Sequence, residues 1–106
     1  MSYTYKDNSK EVLKAMERAK HNALKAIGLT AEKYAKKETP VDTGRLRNSM
    51  AHAVDDNAAY IGTNVEYAPY VELGARGRKP VKMLTRAATE HTDEYKKLAK
   101  QAFENA

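Results

Sequence analysis

The chain has 106 residues, a net charge of +5 at pH 7 and no cysteine. That length makes one domain with a modest core, in which roughly two-thirds of the unfolded surface is buried. Disulfides, thiolate metal sites and thiol nucleophiles are excluded, and no run of about 18 apolar residues is present to cross a membrane.

The net charge favours anionic neighbours such as nucleic acid. The stronger reading is the ordinary solvated surface that most small basic domains carry. The N-terminus shows no apolar signal segment, so folding is expected in the compartment of synthesis. Residues 1–7 have no periodicity and read as an arm, loose or docked on a partner. Ser9 or Asp7 can cap the helix that follows.

Val12, Leu13, Met16, Ala19, Ala23, Leu24, Ile27, Ala31, Tyr34 and Ala35 recur at helical spacing and form one apolar stripe. Glu32 and Lys36 stand four apart in the favourable order. The helix should end near Glu38, since the residue before Pro40 disfavours helical geometry. Gly28 interrupts the pattern, either as a tolerated glycine costing up to about 1 kcal/mol against alanine or as a kink. Unbroken, the helix is roughly 40 Å long. That is long for so small a domain, so part of the stripe is free to face another subunit.

Asp42 or Thr43 can cap a short helical turn from Gly44 to Asn48. The run from Met50 to Val54 then alternates, with Met50 and Val54 on one side. Asp55-Asp56-Asn57 is a turn signal, and Ala59 to Thr63 is a second short strand. The two strands are expected to pair as an antiparallel hairpin. Two strands alone are marginal in water, so the long helix must cover them or further strands must join. Ala68 to Leu73 suits one helical turn, with Pro69 at its start and Gly74 just past its end.

Residues 75–80 form a basic, glycine-containing loop. Between Glu72 and Glu90 stand Arg76, Arg78, Lys79, Lys82 and Arg86 with no acid among them, the one place where positive charge is not interleaved with negative. Pro80 opens the last predicted helix, with a stripe of Met83, Leu84, Ala87, Ala88, His91, Tyr95, Leu98, Ala99, Ala102 and Phe103. The fold class expected is α+β, a long N-terminal helix and a C-terminal helix on a small antiparallel sheet.

No catalytic set and no cofactor site emerges. His21, His52 and His91 are far apart and form no i, i+4 ligand pair. Ser2, Ser9 and Ser49 lack a nucleophile motif, and there is no phosphate-binding glycine loop. Two surfaces remain. Arg76, Arg78, Lys79 and Lys82 can contact phosphate, with salt-dependent affinity, or a protein partner, or can simply be solvated. No aromatic residue is interleaved with them, so stacking on exposed bases is not suggested. Tyr67, Pro69, Tyr70 and Glu72 can make a rigid amphipathic contact surface. Alternatively both rings pack on the sheet, with Glu72 paired to Arg45 or Arg47 or left exposed.

Three stretches, taken together, carry a resemblance. They are Pro40 through Ser49, Ile61-Gly62-Thr63-Asn64, and Tyr67-Ala68-Pro69-Tyr70-Val71-Glu72-Leu73-Gly74. Pro80 with Leu84, Arg86 and Ala87 adds to them. In order and spacing, over roughly residues 8 to 100, the chain resembles the small tail-completion or head–tail joining proteins of long-tailed bacteriophages and prophages. Two departures stand out: Val81-Lys82-Met83 occupy a place where family members often carry an aromatic residue, and the loop after Gly74 is short. The resemblance implies a structural, non-enzymatic virion protein of the neck, assembled in the host cytoplasm, with no metal, cofactor or membrane. It implies a ring of six copies between the head connector and the tail tube proteins, with phage DNA passing through. The alternative from the residues alone is a basic nucleic-acid-binding module. A small hydrolase has nothing beyond its histidines and glutamates in its favour.

Overall fold

The computed structural model describes residues 8–40, 44–74, 77 and 79–105. The expected arm at 1–7, the capping residues Asp7, Asp42 and Thr43, and Arg76 and Arg78 of the basic loop lie outside them.

The spine is α1, Ser9–Glu38, 30 residues and therefore about 45 Å long. Asn8 precedes it as N-cap with no side-chain capping bond, so the expected cap from Ser9 is not what starts the helix. It stops where the sequence requires. Thr39, before Pro40, is extended (ψ 130°), and its buried hydroxyl donates to the Ala35 carbonyl at 2.5 Å. The helix runs unbroken through Gly28, so the glycine makes no kink.

Its buried positions are Ala19, Ala23, Gly28, Ala31 and Ala35, all small, which lets neighbouring elements approach closely. Two sides of the helix are used. Gly28 and Glu32 meet the hairpin, while Tyr34 meets the helices at the C-terminal end. Positions 28 and 34 lie about 120° apart around an α-helix. N-terminal to Ala19 the cover stops: Val12, Leu13 and Met16 are more than half exposed. The Cα radius of gyration, 19.1 Å, exceeds the roughly 13 Å of a compact domain this long.

A short helix α2, Arg45–Ser49, starts after Gly44, whose φ is +78°. The hairpin follows as β1, Ala51–Val54, and β2, Ala59–Gly62, antiparallel with Ala51 opposite Gly62 and Val54 opposite Ala59. The alternation puts His52 and Val54 of β1 on the half-buried side and Ala51 and Ala53 on the exposed one. The turn is closed by Asp55, whose Oδ1 accepts the Asn57 and Ala58 amides at 2.8 and 2.7 Å. Among the described residues the sheet has these two strands alone, and α1 covers both.

Helix α3, Ala68–Leu73, has Pro69 in its first turn and Gly74 at its C-cap, φ +80°. What reads in the sequence as one last helix from Pro80 is two: α4, Met83–Thr89, and α5, Thr92–Glu104. Met83 and Ala87 are fully buried in the core with Ala35, Leu46, Met50, Val65 and Ala68, whereas α5 lies along α1. One straight helix cannot do both. The break at Glu90-His91 is stabilised locally. The His91 ring stacks on Tyr34, centroids 3.5 Å apart, and the Tyr95 hydroxyl donates to the Ala87 carbonyl. Tyr34 in turn hydrogen-bonds Glu94.

Candidate functional site

The segment from Tyr67 to Met83 carries both surfaces singled out in the sequence, and its construction explains their shape. The Val81 amide donates to the Val71 carbonyl at 2.9 Å and the Lys82 amide to the Glu72 carbonyl at 3.2 Å. These bonds pin the two stems of the basic loop together. The Glu72 side chain then reaches past the loop to α4. Its Oε1 accepts the Leu84 amide at 2.7 Å, and its Oε2 accepts the Thr85 amide at 3.2 Å and the Thr85 hydroxyl at 2.6 Å. A carboxylate on the free amides of a first helical turn supplies charge and acceptors where the helix dipole wants them.

Glu72 is therefore a remote N-cap, joined to neither Arg45 nor Arg47. Arg45 instead forms a bidentate pair with Glu66, 3.2 and 3.1 Å, and lies over the Tyr67 ring at 5.6 Å. The amide environment of Glu66 and then Arg45 hold the Glu66 carboxyl below its ordinary value.

The predicted contact residues separate by environment. Tyr67 is half-buried against the core. Pro69 is exposed, and Tyr70 is 64 % exposed. Leu73, which the sequence reading passed over, is 72 % exposed and one turn from Tyr70, so the two share a face. The signal was available: an apolar residue at i+3 from a tyrosine, beside a glycine.

Of the cations, Lys79 and Lys82 are exposed and form no ion pair with a described carboxylate. Lys82 holds φ +55°, the one described non-glycine residue in the left-handed region. Arg86 departs from the expected unbalanced run. It is bound by Glu38 at 2.9 Å and Glu90 at 3.0 Å, and Glu90, then Glu38, raise its pKa further. It ties α4 to the end of α1 and is not a free cation.

The histidines remain apart along α1. His52 packs on Gly28, with Nδ1 3.2 Å from Glu32 Oε1. His91 stacks on Tyr34, its Nε2 buried without a hydrogen-bond partner among the described residues. His21 lines an open concavity of about 370 Å³ with Glu17, Arg18, Asn22, Asp55 and Asp56. Asp55 titrates below its ordinary value, chiefly through the Asn57 amide and then the Tyr60 hydroxyl. No group of three or more His, Asp or Glu among the described residues is placed to hold a metal ion. No described helix is long and apolar enough to cross a membrane.

Among protein families, the model described as "Bacteriophage HK97-gp10, putative tail-component" matches residues 5–74. The matched span includes α1, the hairpin and all of α3. Curated proteins and solved structures gave no significant match.

Proposed function

Since the chain belongs to the HK97-gp10-like family of bacteriophage tail components, we propose that it is a structural virion protein of the neck. In this reading it is a tail-completion or head–tail joining component, which forms a ring through which DNA passes. It would sit between the head connector and the tail tube proteins, and would act by shape and contact, without catalysis. The family match over residues 5–74 carries the reading.

Two features of the chain support it. The first turns of α1 leave Val12, Leu13 and Met16 in solvent. Tyr70 and Leu73 stand exposed on a helix tied to the stretch from Val81 to Thr85. Each is surface that subunit contacts would complete.

Deleting the gene from its parent phage tests the proposal. Filled heads and separate, complete tails should accumulate, and purified protein added to the mixture should join them. Normal yields of joined virions would refute it.

A further inference from the structure

The molecule carries two unlike surfaces that cannot meet within one copy. The first is the pinned tip of α3 and the loop after it. It presents Tyr70 and Leu73, both largely exposed, and on the returning stem Lys79 and Lys82, exposed and in no ion pair with a described carboxylate. The second is the concavity between α1 and the hairpin turn. Its lining holds three carboxylates, Glu17, Asp55 and Asp56, against the one guanidinium of Arg18. Lys20 stands nearby, tied to Asn57 at 2.8 Å.

An exposed leucine stands next to the concavity on α1: Leu13 is 60 % exposed and one turn before Glu17 on the same face. Tyr60, paired with Ala53 on the outer face of the hairpin, donates to Asp55 Oδ2 at 3.0 Å and helps to fix that carboxylate. About 370 Å³ of open space accommodates one or two large side chains.

The two surfaces lie at opposite ends of the packed body. Arg86 on Glu38 fixes α4, and with it the loop, at the C-terminal end of α1. Lys20 on Asn57 fixes the hairpin turn near residue 20. Eighteen residues of helix separate those anchors, about 27 Å.

We propose that the tip formed by Tyr70, Leu73, Lys79 and Lys82 docks into the Glu17–Asp55–Asp56 concavity of a second copy of this chain. The contact is heterologous: each copy offers a tip at one end and a concavity at the other. Repeated, such a contact closes into a ring or runs on as a filament, depending on the rotation per step. It names the subunit interface of the proposed ring and to that extent rests on that reading. Leu73 favours a protein occupant over nucleic acid, because an aliphatic side chain gains its stabilisation by leaving water.

The native chain has no cysteine, so paired cysteines report the contact without background. The full-length Leu73→Cys, Asp56→Cys double variant, oxidised briefly at millimolar concentration, should give a ladder of dimer, trimer and higher species. Under the same brief oxidation each single variant should stay largely monomeric, and a single variant that dimerises as fast as the double variant forms its ladder overturns the contact. In the double-cysteine background, Glu17→Lys should reduce ladder yield about fivefold, the range of one exposed charge pair. Adding Lys79→Glu should restore it. Circular dichroism confirms that each variant is folded.

A double variant that yields no species above dimer overturns the proposal, as does a ladder indifferent to both charge changes. Duplex DNA binding abolished by Lys79→Glu, with no ladder, would assign the tip to nucleic acid instead. In the phage neck, a ring of this chain in which tip and concavity lie apart refutes the contact and leaves the ring standing. A neck without multiple copies refutes the ring itself.

Discussion

Replacing Gly28 with alanine sets two opposing effects against each other, and the structure says which prevails. In a helix interior alanine is favoured over glycine by about 1 kcal/mol. The new Cβ, however, would stand 2.9 Å from His52 Cδ2, 3.4 Å from Cγ and 3.5 Å from Cβ. The first distance is closer than real carbon atoms approach, so the imidazole must swing away or β1 must lift from α1. Overpacking of this kind costs roughly 1–3 kcal/mol. A displaced ring also gives up the 3.2 Å contact with Glu32, a hydrogen bond to a charged group of the kind worth about 1.5 kcal/mol or more. Gly28→Ala should therefore destabilise the native protein by roughly 1.5–3.5 kcal/mol. With His52→Ala already in place the obstacle is gone, and the same change should stabilise by up to about 1 kcal/mol. Urea denaturation followed by circular dichroism measures all four corners of the cycle, and the coupling expected is at least about 2 kcal/mol. If Gly28→Ala has the same sign and size in both backgrounds, the close approach of His52 to the helix is not what holds a glycine there.

Glu72→Ala should unseat the first turn of α4 and cost about 1–2 kcal/mol, read from the urea midpoint at unchanged slope. A change under a few tenths of a kcal/mol would mean that solvent caps the turn as well. Lys82→Gly relieves a left-handed backbone that costs a side-chain-bearing residue about 1–2 kcal/mol but adds unfolded-state freedom. The melting temperature should hold or rise, and a fall would refute the strain. For Glu32, partial burial raises the carboxyl pKa, but His52 and then Lys36 outweigh it and leave it below its ordinary 4.5. A group depressed in the folded state stabilises above its unfolded pKa, and that contribution disappears as pH falls through the folded value. Glu32→Gln should therefore lose stability at pH 7 and show a shallower decline below about pH 4.5 than the native chain. Parallel acid curves would refute the assignment.

Much of this architecture could be read from side-chain periodicity. The stripe from Val12 to Ala35 gave α1 with its end at Glu38. The alternation around Asp55-Asp56-Asn57 gave the hairpin, and Pro69 with Gly74 bracketed α3. What escaped is tertiary in origin. Nothing local marks the break between α4 and α5, where neither glycine nor proline stands. It arises because Met83 and Ala87 are drawn into the core while α5 follows α1. Glu72 finds its partners twelve and thirteen residues away, so its role as a cap is invisible in its neighbours. Arg86 looked like one more loose cation because its counter-charge, Glu38, belongs to another helix. Gly28 looked like a weakness in α1 because His52 comes to it from the hairpin.

The pinned stems at Val71–Val81 and Glu72–Lys82 have one further consequence. Because these bonds close the base of the loop, residues inserted between them add ring-closure entropy of about 0.6 kcal/mol for each doubling of loop length. The tip is in that sense an interchangeable fitting. Evolution or an engineer can lengthen it, recharge it or replace it, and thereby retarget the molecule, without disturbing the frame that carries it.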